Sequence, residues 1–594
     1  MLTLPGNHSM RSLAAFLTFL ISLVLPIRFT AADEPDVRKM LPATSAIYIE
    51  VKSLESVLEH PLSKTLQDSS ALKKLWRSPD AMKLRGGLLL FEFAIGDKVE
   101  SLAKNLTANG FHFVVDKTTE GAGFLTCTES KEWLDEYLQK LVKLARADAN
   151  SKNQPDPIRE AEYRGIRGYE FQNVIVGSIG SILLVTNKKE LSKNIIDRHL
   201  DSTDDHLLSN SLFQRAWTSN EKLELKDSEE SIAKAFVDLD MLRNAGVAAD
   251  LLIGKARDFA SELILGGLLA SIQKTSFATG ELFLAENKLS IQLCVPYQRE
   301  WAEASRTFFV GPMGNGHASS LIDSSGWMAS LSAYRNLTEL WIRAGDLFDE
   351  KVNDQLAQAD STLTTLFSGK DFGRDILGAI EPQVQLVAAE QQFEPSNTPA
   401  IQLPSFGLVA KLKDPRMKKE LKRIFQSFIG FLNVAGAMEG NPQLDLDSES
   451  IDGKQIYTAA YIREGDKQYE NGLPIQFNFS PTLAFDGDLV FIASTNTLVK
   501  KVAILSAKQN EAEALAKNNT VLKVDFKSAQ NALETNRRQW VAQNMLEKGH
   551  SKLEAEKETD TLISLLSLLR TGTAALRFDD HVRLQFDLDI NSDR

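Results

Sequence analysis

One order of strand-like and helix-like stretches is written twice along this chain. That repetition limits its folds more than any single motif does. Gly123-Phe124-Leu125 stands before a charged helical stretch, and so does Gly407-Leu408-Val409, 284 positions on. Gly165-Ile166-Arg167-Gly168-Tyr169 is echoed by Gly453-Lys454-Gln455-Ile456-Tyr457 at an offset of 288. Gly180-Ser181-Ile182-Leu183-Leu184-Val185 is echoed by Gly487-Asp488-Leu489-Val490-Phe491-Ile492 at 307. Val237-Asp238-Leu239 matches Val524-Asp525-Phe526 at 287, and the alternation Leu289, Ile291, Leu293, Val295 matches Val582, Leu584, Phe586, Leu588 at 293. The outlying offset has a local cause. A polar insertion around 465–474 lengthens the second copy, and a longer acidic loop around 201–206 in the first restores the register. The expectation is two related domains, 40–297 and 317–594. Between them 298–316 ends in Gly311-Pro312-Met313-Gly314-Asn315-Gly316, a turn-rich stretch suited to a linker. Each half is long enough to close its own core without staples.

The patterning predicts the fold class. Ile47, Ile49 and Val51 alternate as a strand after Pro42, as do Phe111, Phe113 and Val115, and Gly123–Thr128 reads as a third strand. Ser130 is placed to cap a helix with Trp133, Tyr137, Leu141 and Leu144 on one face. Its counterpart starts at Asp414-Pro415 and carries Met417, Leu421, Phe425 and Phe428. The runs 169–176 and 181–186 read as a hairpin closed by Gly180, followed by a helix over 188–199. Apolar helices at 259–272 and 562–569 precede the last strand pairs. Adjacent hairpin-like strands with short turns favour antiparallel over parallel sheets. The predicted class is α+β, twice, each domain an antiparallel sheet with helices packed on one face.

The N-terminus sets the expected compartment. Arg11, the mostly apolar and uncharged run Leu13–Leu25, and Thr30-Ala31-Ala32 before Asp33 have the layout of a cleaved secretory signal over 1–32. Met10 is an alternative start to Met1. Thirteen apolar residues fall short of the roughly 20 that a membrane span needs, and no later apolar run is long enough either. The expected location is periplasmic or extracellular, with an envelope or extracellular partner and no transmembrane helix in the mature chain. In an oxidising compartment Cys127 and Cys294 could pair, although two unpaired small residues are the favoured reading. Cys294 lies on the polar parity of its strand, with Ser290 and Gln292. With 67 basic against 79 acidic residues, net −12, no nucleic-acid role is expected.

Motifs for chemistry are thin. No phosphate-binding glycine loop and no Gly-x-Ser-x-Gly elbow occurs. Ser70-Ala71-Leu72-Lys73 has the Ser-x-x-Lys spacing of acyl-enzyme hydrolases without their companion motifs. Asp204-Asp205-His206 and Asp579-Asp580-His581 read as turn residues rather than zinc ligands, since neighbours on a turn point apart. Asp445, Asp447, Glu449 and Asp452 read as an acidic loop, with a weak calcium site as the sharper alternative. Lys411, Lys413, Arg416, Lys418, Lys419, Lys422 and Arg423, against Asp414 and Glu420, make a basic amphipathic helix. It is expected to be core-packed, with contact to anionic lipid or polymer as its functional reading. The stretch 248–274 reads as a core helix, with a lipid-carrying groove as its alternative. No catalytic, cofactor-binding or metal-binding residue is assigned, and no cofactor is expected.

The run Pro42-Ala43-Thr44-Ser45-Ala46-Ile47-Tyr48-Ile49-Glu50-Val51 behind a signal-like segment, with the Gly-x-x-Tyr strand and Gly180–Leu191, resembles large secreted proteins of uncharacterised planctomycete-type bacterial families. The resemblance implies export and an α+β fold of repeated strand–helix units, and brings no site residues. The leading expectation is a non-enzymatic binding or scaffolding protein. The alternatives are a hydrolase whose site assembles only in the fold, and a carrier of apolar ligands. A carrier requires an apolar cavity of several hundred Å3, and an enzyme requires titratable groups that converge.

Overall fold

The structure, a computed structural model, describes residues 36–76, 79–221, 229–246, 255–256, 258–301, 304–322, 326–367, 369–451, 453–463, 472–506 and 518–591. The signal-like segment 1–32 lies outside them. The described residues form two compact units, one of those within 1–247 and 276–293, the other of those within 248–275 and 294–591.

The first unit holds β1 (Ser45–Val51), β2 (Phe111–Asp116), β3 (Gly121–Cys127), β4 (Ile158–Tyr163), β5 (Ile166–Phe171), β6 (Val174–Ile179), β7 (Ile182–Thr186), β8 (Glu230–Asp238), β9 (Phe277–Ala285) and most of β10 (Lys288–Pro296). Their order is β4-β5-β6-β7-β3-β2-β1-β8-β9, antiparallel throughout, with β10 beside β9. The run 169–176, expected as one strand, is broken into β5 and β6 by a tight turn with Gln172 at φ +54°, and β4 carried no alternation that announced it.

The second unit holds β11 (Trp327–Tyr334), β12 (Ile380–Ala389), β13 (Ser405–Leu412), β14 (Leu444–Ile451), β15 (Lys454–Tyr461), β16 (Thr482–Asp486), β17 (Leu489–Ala493), β18 (Asn518–Asp525), β19 (Leu569–Phe578) and β20 (His581–Ile590). Their order is β14-β15-β16-β17-β13-β12-β11-β18-β19-β20, again antiparallel. The architecture is α+β with extensive antiparallel pairing.

Helices pack on both faces of these sheets, not on one as expected. The strands are apolar on both parities, so both faces need cover. All five residues of β7 are buried. Leu184 joins Tyr48, Val114 and Leu125 under Leu191 and Ile195 of helix Lys189–Asp201 and Phe213 of helix Ser211–Glu221. Its neighbours Leu183 and Val185 join Leu134, Tyr137 and Leu138 of helix Lys131–Ser151 on the other side. In the second unit Val409 packs under Leu498 and Val499 of helix Asn496–Ser506, and Ala410 under Leu421 of helix Met417–Met438.

Two stretches depart from the expected boundaries. The segment expected as a linker is folded into the second unit: Phe308 and Phe309 are wholly buried there. Helix Phe259–Lys274 also belongs to the second unit. Gly267 is what lets it in, because a Cβ at that position would sit 2.8 Å from Phe578 Cζ. The buried Glu262 carboxylate on the same helix accepts from Arg306 Nε at 2.9 Å. Arg335 donates to the Leu263 carbonyl, to the Ile264 carbonyl at 3.2 Å, and to Asn519 Oδ1 and Thr520 Oγ1 at 2.9 Å each. Its guanidinium carbon lies 3.6 Å from the centroid of the Phe309 ring. Burial pulls Arg335 down to about 9, which leaves it charged at neutral pH.

Candidate functional site

One face of the second sheet is only partly roofed. Its exposed row is fixed by register: Leu331 opposes Leu386 and Leu522, Leu386 opposes Leu408, and Leu408 opposes Ile492. Side chains two apart on one strand share a face, so Ala329, Ala388 and Phe406 extend the row. At one end of this face Val384, Ala410, Leu412 and Val490 are sealed under Leu421, Phe425, Phe367 and Phe372. Towards the other end the roof stops. Leu386 and Ile492 are each 43% exposed and Phe406 57%.

The result is an apolar groove of about 690 Å3. The strand row forms its floor. Phe428 and Leu432 of helix Met417–Met438, with Tyr461, Phe479 and Pro481, form its walls. Its polar content is small. The Ser494 hydroxyl is already committed to the Phe406 backbone N–H, 2.9 Å away. Tyr461 brings the one phenolic hydroxyl of the lining, and burial raises its pKa. Such a surface can take up apolar matter.

The first unit carries a different assembly on the opposite sheet face. A row of ionisable groups crosses four strands: Glu281 opposes Lys234, Lys234 opposes Glu50, and Glu50 opposes His112. Tyr48, wholly buried, donates to Glu50 Oε2 at 2.9 Å, so its oxygen accepts from His112 Nδ1 at 2.9 Å. That pair of bonds makes His112 the neutral Nδ1–H tautomer. Burial and the Arg38 charge hold its pKa down to about 4, and burial raises Glu50. Lys234 and Arg38 both lie over the Trp217 ring. In the second unit the corresponding register positions are neutral: Ser332 opposes Gln385 and Val521, and Val521 opposes Ala575.

The sequence candidates are distributed as follows. Ser70 is exposed at the start of helix Ser70–Trp76, and Lys73 is bound to Asp68 at 3.2 Å, so Ser-x-x-Lys assembles nothing. Asp205 holds Arg198 at 2.7 Å beside His206. Asp579 and Asp580 form the β19–β20 turn, where Asp579 binds Arg577 at 3.0 Å. Asp445, Asp447 and Glu449 stand on strand β14, not in a loop, because each pairs through its backbone with β15. Glu449 is drawn to Lys500 at 2.7 Å and Asn496 at 2.9 Å, while Asp452 lies outside the described residues. Among the described residues no group of three or more His, Cys, Asp or Glu could hold a metal ion, and no helix is long and apolar enough to cross a membrane. Cys127 and Cys294 are both buried.

The basic helix begins at Met417 rather than Asp414, whose carboxylate instead closes a turn by accepting from the Arg416 N–H at 2.9 Å. It is not core-packed along its length: only Leu421 and Ile429 are buried, and Phe428 lines the groove. Its apolar stripe was legible. That the stripe would run past its cover was not, because no local pattern reports what a distant helix fails to roof.

No family model matches the chain, and no curated protein matches it. Among solved structures it is similar to crystal form III of TP0453, at 9% identity over 49% of this chain and 90% of that one, with a TM-score of 0.25. Crystal form I gives 8% identity, 48% and 89% coverage and a TM-score of 0.25. Crystal form IV gives 9%, 44%, 81% and 0.22.

Proposed function

We propose that this chain is an exported, non-enzymatic binding protein that holds an apolar ligand, of the acyl-chain class, in the groove of its second unit. The observation that carries the reading is the groove itself. A volume of about 690 Å3 with an almost wholly apolar lining lies within the usual range for ligand sites. The signal-like segment supports export. The strand orders of the two units correspond position by position, which supports their origin as tandem related domains from an internal doubling. The second reading, a hydrolase, is favoured by the Glu50–Tyr48–His112 set. It ranks lower because Tyr48 is wholly buried and its hydroxyl is spent within the set.

Titration of the full chain with a fluorescent long-chain fatty acid, without vesicles, tests the proposal. Saturable binding is expected, weakened about tenfold or more by Ala388→Trp, which fills the floor, and by Leu386→Asp, which places a charge in it. No saturable binding by the unsubstituted chain, or equal binding by both variants, removes the proposal.

A further inference from the structure

The solvent face of helix Met417–Met438 is a single stripe that changes chemistry along its length. At three- and four-residue steps it presents Arg416, Lys419, Arg423, Ser427, Phe431, Val434 and Met438, all exposed. The first three are cations. From Ile424 to Met438 the sequence holds no charge at all. Val434 is 66% exposed and Met438 86%. The two acids nearby are already engaged, Asp414 by Arg416 at 2.7 Å and Glu420 by Arg423 at 2.9 Å and Lys370 at 3.5 Å. Lys411 and Lys413 add two more exposed cations before the helix. This local excess of positive charge stands on a chain whose net charge is −12.

We infer that this helix face docks on an anionic lipid surface, its basic first turns against the headgroups and Phe431, Val434 and Met438 in the apolar layer below. The charge selects the occupant. A lipid leaflet presents an anionic layer and then an apolar one, in the same sequence as this stripe. Phe428, on the same helix, lines the groove, so docking would bring its wall to the source of an acyl ligand. The docking itself needs no ligand and is independent of the groove reading.

Flotation of the full chain with phosphatidylcholine vesicles, and with vesicles of phosphatidylcholine and phosphatidylglycerol, tests this. The chain is expected to float with the anionic vesicles and not with the zwitterionic ones. Lys419→Glu/Arg423→Glu should weaken binding by about fivefold or more per reversed cation. Val434→Asp/Met438→Asp should weaken it about tenfold or more. All variants keep the N-terminal apolar run, so any affinity it contributes is common to them. Unchanged melting temperatures show that the variants fold. Absence of flotation with anionic vesicles overturns the inference, as does flotation unaffected by either double variant. A dimer in sedimentation velocity that Val434→Asp/Met438→Asp dissociates, without flotation, assigns the face to a second copy instead. The vesicle-free fatty-acid titration is a separate readout, so failure of one reading is distinguishable from failure of the other.

Discussion

Two rows of side chains occupy corresponding places in the two sheets and meet different fates. In the first unit the row is Ile49, Phe113, Phe124 and Val185; in the second it is Leu331, Leu386, Leu408 and Ile492. The first is closed over at its Phe124–Val185 end, where Val185 is buried and Phe124 half-buried. Phe124 and Val185 pack with Phe91 and Ile95 of helix Pro79–Ile95, Leu102 and Leu106 of helix Val99–Leu106, and Leu134 and Tyr137. The second is left partly bare. Between β11 and β12 the chain places helix Glu350–Leu366, whose sequence is rich in Gln, Asp, Ser and Thr, where the helix of the first unit brings Leu88 and Phe91. A polar helix has little apolar surface to bury, so it gains little by lying over the row. An open groove can thus arise from what a neighbouring segment lacks, with almost no change in the groove floor.

Matched truncations break or sharpen this contrast. Phe124→Ala, at a half-buried ring packed against that cluster, should cost about 2–3 kcal/mol of stability. Ile492→Ala, at the matching but exposed position, should cost less than about 1 kcal/mol. Urea unfolding of both variants measures the difference, and equal losses would show the two rows to be equally covered.

The opposite face offers a second contrast, in pH dependence. His112 is held neutral in the folded chain down to about 4, while the unfolded imidazole takes its proton near 6.5. Between those values the unfolded state binds more protons, so stability falls as the pH falls through that window. The loss should reach about 3 kcal/mol. Glu50, Lys234, Arg38 and Asp36 face the same cluster. The raised Glu50 pKa works in the other direction near its own titration, so the net slope is set by the difference. His112→Gln should flatten the decline between pH 6.5 and 4 in urea midpoints. The matching positions of the second unit, Ser332 and Gln385, carry no titrating group, so Gln385→Asn should leave the slope of stability with pH unchanged between 6.5 and 4. The smallest expected effect belongs to Val434→Ser, whose side chain faces solvent: within about 0.5 kcal/mol by thermal melting.

What the sequence made legible follows from these contrasts. Short-range periodicity located β1, β2 and β3, and Ser130 caps its helix as expected, accepting from the Trp133 N–H. Periodicity misjudged which parity faces inward. In β10 Ser290 and Cys294 are buried while Ile291 and Leu293 are exposed, the reverse of the apolar-in reading. In β12 Gln385 is buried, its amide carbonyl accepting from the Ile322 N–H at 2.9 Å, while Leu386 faces the groove. Alternation identifies a strand, but the burial of each face depends on helices far along the chain. The groove was therefore invisible as a site: the repeat pattern marked the runs that hold Leu408 and Ile492, while β11 and β12, which supply most of the rest of the floor, were not located.

Gly267 carries a consequence for dissection of the chain. The helix it admits comes from before β9, yet its buried Glu262 and its carbonyl contacts to Arg335 complete the body that otherwise begins at 294. A gene fragment started at that point would leave Arg306 without its carboxylate and a slot above Phe309 and Phe578 open to water. Separating the two bodies therefore takes a transplanted segment rather than a single cut.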